Sequence, residues 1–165
     1  MARDRCFPPL IAPHTRVLLL GSLPGQASLA AGRYYAHPQN QFWRLLSDIL
    51  ALPLASLPYD ERIECMLQAG VGLWDVVGEA ARKGSLDADL RQVSYNDLRQ
   101  LLTQLPSLRA IGFNGQAAAR AMPSVEASGV ALLPLPSSSP AYTLPYDNKL
   151  AQWRKIGRYL VSESP

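Results

Sequence analysis

Residues 16–22, Arg-Val-Leu-Leu-Leu-Gly-Ser, form a continuous apolar run that breaks directly into Gly21-Ser-Leu-Pro-Gly25. A strand with one wet face alternates apolar and polar residues; a run without alternation fits a strand covered on both faces, as in a parallel sheet flanked by helices. Residues 71–77, 108–113 and 129–134 read as three more buried strands. Helical spacing fills the gaps. Residues 40–50 put Phe42, Trp43, Leu45, Leu46, Ile49 and Leu50 on one broad face, and 60–69 contribute Ile63, Met66 and Leu67. Ser94 with Asp97 reads as a capping box ahead of Leu98, Leu101, Leu102 and Leu105. An alanine-rich helix is expected over 115–121, and Asp147 is expected to cap a last helix whose core side is Leu150, Trp153, Ile156 and Leu160. Strands alternating with helices predict an α/β fold: a parallel sheet with helices on both faces. Ligands of such sheets bind beyond the carboxyl ends of the strands. The loops at 21–40, 114–115 and 135–142 are therefore where chemistry is expected.

Composition narrows the function classes. The 165 residues fit one domain over 1–165, and 48% hydrophobic against 18% charged residues is enough apolar material for a core. A net charge of +3 permits a polyanionic partner without demanding one. Cys6 and Cys65 cannot build a disulfide framework, a four-thiolate zinc site or an iron–sulfur cluster. With only His14 and His37 as imidazoles, no metal and no cofactor is expected. No stretch approaches the ~20 apolar residues of a membrane span. The charged, proline-broken start MARDRCFPPLIAP lacks the apolar core of a secretory signal, so a cytoplasmic protein with reduced thiols is expected. Most of the fourteen prolines fall where elements should end.

The first loop, Gly21 to Gly25, is a rigid turn whose amides suit an anion or a base edge; an ordinary strand-to-helix turn would look the same. It continues into Tyr34-Tyr-Ala-His-Pro-Gln-Asn-Gln-Phe-Trp43, where adjacent tyrosines offer a stacking surface. Asn40, just ahead of a helix, either caps that helix or orients a water. His37 has no neighbouring carboxylate in sequence and reads first as a structural histidine. The last loop, Leu135-Pro-Ser-Ser-Ser-Pro-Ala-Tyr142, presents three hydroxyls stiffened by prolines, able to hold phosphate or sugar. The sequence contains no G-x-x-x-x-G-K-[ST] phosphate-binding loop, no dinucleotide fingerprint and no nucleophile elbow.

GSLPG, YYAHPQNQFW, GFNGQAA (112–118) and LPLPSSSPAY, in that order, resemble the uracil-DNA glycosylase superfamily. The AHP-x-N-x-FW block is similar to the mismatch-specific branch. Together with GSLD (84–87), the set is most similar to the hypoxanthine-DNA, or DNA-deoxyinosine, glycosylase branch. The resemblance runs from about Val17 to Trp153. It implies a three-layer α/β/α fold around a four-stranded parallel sheet. It also implies a monofunctional enzyme of base excision repair, which flips a deaminated base out of DNA and hydrolyses its N-glycosidic bond.

Carried over residue by residue, the resemblance makes Asn40 the water-orienting catalytic residue. The mismatch-specific branch has a catalytic Asn where Leu23 stands here. It assigns base binding to Ser22, Leu23, Pro24, Gly25, Tyr35 and Asn114, with Tyr35 stacking on the flipped base, and DNA binding to Ser137, Ser138 and Ser139. The catalytic His of the main uracil-specific branch is replaced by the serines, so the leaving base is stabilised differently and hypoxanthine is the expected base, with uracil and xanthine as alternatives. The partner implied is DNA containing a deaminated base, met by a monomer. Arg33, Arg44, Arg82 and Lys83 are candidates for a basic rim. Two other classes fit the residues: a hydrolase of free nucleosides, which needs a closed pocket without that rim, and a non-catalytic single-strand binder using tyrosines and a basic groove.

Overall fold

The computed structural model describes residues 3–161; residues 1–2 and 162–165, the ends of the domain expected over 1–165, lie outside it. Its centre is a four-stranded parallel sheet of β2 (Val17–Gly21), β3 (Val71–Asp75), β6 (Ala110–Asn114) and β7 (Ala131–Leu135), in the order β3-β2-β6-β7. β2 is buried along its whole length, as its unbroken apolar run requires. Its side chains alternate between two cores. Val17 and Leu19 pack with Phe42, Trp43, Leu45, Leu46, Met66 and Trp153; Leu18 and Leu20 pack with Leu98, Leu101, Phe113 and Val125. Helix α1 (Gln26–Ala31) follows the first loop, and helices α2 (Phe42–Leu50), α3 (Tyr59–Gln68) and α6 (Tyr146–Trp153) cover one face. Helices α4 (Leu98–Leu102) and α5 (Gln116–Ala119) cover the other, giving the three layers expected.

Element ends differ from the sequence reading in ways that matter. Residues 71–77 are not one strand: β3 ends at Asp75, and β4 (Val77–Ala81) turns away into a second sheet. That sheet is antiparallel, in the order β1-β4-β5, with β1 at Arg3–Arg5 and β5 at Arg91–Tyr95. Ser94 lies in β5, so no capping box forms; Asp97 caps α4 by itself, accepting from Gln100 N at 3.1 Å. Asp147 stands in the first turn of α6, which follows Pro145, so the expected cap is a first-turn carboxylate that favours the positive end of the helix. α5 is a single turn, continued by a 3-10 segment at Met122–Ser128.

The crossover from β2 to β3 runs to one side of β2, and β6 lies on its other side. A crevice opens at such a divide, at the carboxyl ends of the strands. Three adjacent strand ends meet there: Gly21, Asp75 and Asn114. After β3, Val76 N and Val77 N donate to the carbonyls of Gly21 and Ser22 at 2.8 and 3.0 Å, tying the first loop to the start of β4.

Candidate active site

A cavity of about 530 Å³ opens over these strand ends, walled by the first loop, the segment around Tyr35 to Asn40, residues 85–88 and the serine loop. Every residue expected at the site lines it: Ser22, Leu23, Pro24, Gly25, Tyr35, Asn40, Asn114, Ser137, Ser138 and Ser139, with His37 at the edge. A second groove of about 590 Å³ adjoins it, sharing Asp87, Ala88, Ser137 and Tyr142 and continuing past Gln116, Arg120 and Gln152.

The polar side chains of the cavity form one connected network. Asn114 Nδ2 donates to the Tyr35 hydroxyl at 3.2 Å and to Ser138 Oγ at 2.9 Å, while Asn114 Oδ1 accepts from Ser138 N at 2.9 Å. Ser138 Oγ donates onward to Asn40 Oδ1 at 2.8 Å. Asn40 Oδ1 also accepts from Phe42 N at 3.0 Å, at the start of α2. An amide N–H can only donate, so this contact fixes which end of the Asn40 amide is oxygen. With both oxygen lone pairs met, Nδ2 is left as the group without a hydrogen bond among the described residues. Asn40 is thus both a helix-start acceptor and a cavity-lining amide; the two readings of the sequence coexist.

Tyr35 is half-buried rather than an exposed loop aromatic. Its ring stacks on Phe42 at 4.0 Å and 14°, its φ is +53°, and burial holds its hydroxyl far above the ordinary phenol range. Ser138 is 1% exposed and belongs to the cavity floor. Ser137 Oγ and Ser139 Oγ accept from Ser139 N and Ala141 N within their own loop. Lys149, 1% exposed, donates to the Ser139 carbonyl at 3.2 Å and pins the loop from beneath. Leu23 is 6% exposed and packs in the α4 and α5 core.

The first loop is braced by charge. Ser22 Oγ donates to Asp87 Oδ1 at 2.6 Å. The Arg82 side chain, fully buried, donates to the Pro24 carbonyl, to Asp4 Oδ2 at 3.2 Å and to the Ser85 carbonyl at 3.4 Å. Arg82 is therefore a brace and not part of a basic rim. Arg33 and Arg44 lie over the rings of Tyr59 and Tyr146.

Asp75 carries no signal in the sequence, because it sits inside the apolar run 71–77 that predicts a single strand. It is 3% exposed on the cavity floor, with Oδ2 sealed and partnerless among the described residues. Burial raises its carboxyl most, Asp87 adds to this and Arg82 opposes it; the result is about 7. Asp87 is raised as well, by burial, against the Ser22 hydrogen bond and the Arg82 and Arg120 charges. Among the described residues no group of three or more His, Cys, Asp or Glu is placed to hold a metal ion, and no helix is long and apolar enough to cross a membrane.

Residues 8–160 match the model of the uracil DNA glycosylase superfamily. A hypoxanthine DNA glycosylase of Methanosarcina barkeri is 36% identical over 147 residues, covering 89% of this chain and 93% of that protein. One of Methanosarcina acetivorans is 34% identical over 155 residues, covering 94% and 98%. A solution NMR structure provisionally described as a uracil DNA glycosylase, also from M. acetivorans, superimposes with a TM-score of 0.88 at 33% identity, over 96% of this chain and 99% of that one.

Proposed function

We propose that this chain, which belongs to the uracil DNA glycosylase superfamily and is a DNA glycosylase, excises hypoxanthine from DNA with Asn40 orienting the attacking water. The observation that carries the reading is the amide of Asn40, locked at the cavity wall by Phe42 N and Ser138 Oγ with its Nδ2 left to hold a ligand. In the reaction the bond between the sugar C1′ and the base nitrogen breaks, and its electron pair leaves with the base. The water oxygen bonds to C1′, one water proton is released, and the base takes up a proton. The sugar passes through an oxocarbenium-like state, so a held water and a site that tolerates a departing anion suffice, without a strong nucleophile. Asn40 Nδ2 holds the water oxygen; Tyr35, backed by Phe42, and the first loop from Ser22 to Gly25 contain the base; Asn114 fixes Tyr35 and Ser138.

The relatives named hypoxanthine DNA glycosylases, at 34–36% identity over nearly the whole chain, support that base over uracil and xanthine. The adjoining groove, with Gln116, Arg120 and the exposed Tyr142, supports a DNA strand over a free nucleoside by giving flanking nucleotides a place to lie. Ser137 borders that groove, and Ser139 lines the neighbouring cavity. The enzyme acts as a monomer, one domain over 1–165, on DNA in the cytoplasm.

The test is single-turnover excision from single- and double-stranded oligonucleotides bearing hypoxanthine, uracil or xanthine, read as strand breaks after alkali. Hypoxanthine excision is expected to be fastest. Asn40→Ala is expected to lower its rate about 10²–10³-fold and to cost about 1 kcal/mol of stability through the lost acceptor for Phe42 N. Asn40→Asp keeps acceptors for Phe42 N and Ser138 but loses the Nδ2 donor, so it is expected to fold normally and lose the rate. Stable, fully active Asn40→Ala and Asn40→Asp proteins would together remove Asn40 from the mechanism.

A further inference from the structure

Asp75 lies on the floor of the cavity, and the mechanism above does not use it. Its Oδ1 lies against Gly21: a Cβ built on Gly21 would stand 2.7 Å from that oxygen and the same distance from the Tyr35 hydroxyl. The two polar atoms are therefore at most twice that distance apart, and both border a gap that the missing side chain keeps open. The other carboxyl oxygen, Oδ2, is closed off and partnerless among the described residues. An ionised carboxylate with one sealed, unpartnered oxygen is costly in such a place, whereas the neutral acid leaves only an unmet carbonyl. The charges around Asp75 agree. Asp87, from the 84–87 turn, pushes the carboxyl up, and the cation that opposes it among the described residues, Arg82 of the turn after β4, is engaged with Asp4, Asp87, Pro24 and Ser85. Tyr34, Tyr35 and Cys6 are all held in their protonated, uncharged forms.

We propose that Asp75 is the residue that distinguishes deaminated from undamaged bases, acting as a neutral carboxylic acid whose Oδ1–H donates across the Gly21 gap to a carbonyl oxygen of the flipped base. The proposal rests on reading the cavity as a glycosylase site. Deamination replaces an exocyclic amino group, a donor, with a carbonyl, an acceptor. A hydroxyl donor pairs with the carbonyl and is left unpaired against an amino group, and an unpaired buried polar group is what gives a site strong rejection. An ionised Asp75 would do the opposite: it would accept from the amino group of adenine and repel the negative charge that gathers on the departing base. A neutral acid instead stabilises that charge, and its hydrogen bond strengthens as the bond to C1′ breaks. The contact is a hydrogen bond throughout; no proton changes owner.

The experiment compares the wild-type protein with Asp75→Asn, whose amide nitrogen is a donor that does not titrate. Single-turnover excision is measured from pH 5.5 to 9 on oligonucleotides containing deoxyinosine or deoxyadenosine. In the wild type, deoxyinosine excision is expected to fall about tenfold per pH unit beyond an apparent pKa near or above 7. In Asp75→Asn that limb is expected to disappear while the preference for deoxyinosine over deoxyadenosine remains. A wild-type rate level across the range, or an Asp75→Asn profile with the same alkaline fall, would overturn the proposal while leaving the glycosylase reading intact. Absence of excision from every lesion by the wild type would overturn the glycosylase reading itself. If Asp75→Asn does not fold, a carbon-13 titration of the Asp75 carboxyl in the wild-type chain decides: a midpoint above about 6 supports the neutral acid, and one in the ordinary carboxylate range refutes it.

Discussion

Gly21 ends β2 at the floor of the cavity, and space is what this position requires. A methyl there would meet Asp75 Oδ1 and the Tyr35 hydroxyl at 2.7 Å each, well inside contact distance. Neither neighbour is free to swing: Asp75 is the last residue of β3, and Tyr35 is stacked on Phe42 and hydrogen-bonded to Asn114. Gly21→Ala is expected to cost about 1–3 kcal/mol, as overpacked sites do, and to slow single-turnover excision by tenfold or more in the folded fraction. Gly157→Ala is the control, because its Cβ would meet only the Ile49 side chain, at 3.9 Å, away from the cavity. Thermal melts and excision rates on both variants check this; a Gly21→Ala protein matching wild type in both would show that the gap is not base space. Which site residues the sequence revealed follows from the same geometry. Asn40, Asn114 and Ser138 were legible because polar groups in loops after strands stand out from apolar runs. Asp75 is hidden because it lies within such a run, and the packing of Tyr35 on Phe42 is hidden because the positive φ that turns it there leaves no mark in composition.

Strands and helices tell a similar story one scale up. The parallel sheet was readable because four apolar runs have only one use, and the helices between them carried clear apolar faces. The antiparallel sheet was not. β1 is three residues, Arg-Asp-Arg, and β5, Arg91–Tyr95, is largely exposed, with Gln92 at φ +52°, so neither has a buried face to leave a pattern. Yet that sheet supplies the brace of the site. β4 leads into Arg82, whose buried guanidinium joins Asp4, after β1 begins, to the Pro24 carbonyl of the first loop and the Ser85 carbonyl of the turn that carries Asp87. Removing one partner from such a buried group leaves the others unmet. Arg82→Met is expected to destabilise the protein by about 3 kcal/mol and to weaken binding of lesion-containing DNA, as the first loop loses its tether. Denaturant melts and equilibrium binding to a deoxyinosine duplex measure both; a loss of stability with unchanged affinity would confine Arg82 to the fold.

For the whole molecule, a buried acid on the floor of the site sets how stability varies with pH. Burial pushes the Asp75 carboxyl up to about 7 in the folded protein, from the 3.8 of a free side chain. Between those values the native state binds a proton that the unfolded state has released. Stability therefore falls as pH rises through this window: the contribution is fully present below about pH 4 and gone above about pH 7. Asp87 is displaced in the same direction and adds to the fall. Asp75→Asn abolishes the larger part, because its amide carries no charge at any pH. The gap in unfolding free energy between variant and wild type is expected to shift in favour of the variant by on the order of 2–4 kcal/mol from pH 4.5 to 8, at about 1.4 kcal/mol for each pH unit of displacement. Denaturant melts of both proteins at pH 4.5, 6, 7 and 8 test it, and the difference between the two curves is the quantity to follow, since it isolates Asp75 together with the Asp87 charge that acts on it. Parallel curves would mean that Asp75 ionises in the ordinary range and that its burial is compensated. Converging curves would mean that near neutral pH the fold holds a carboxyl that weakens it, and a group that lowers stability is retained where the site needs its chemistry.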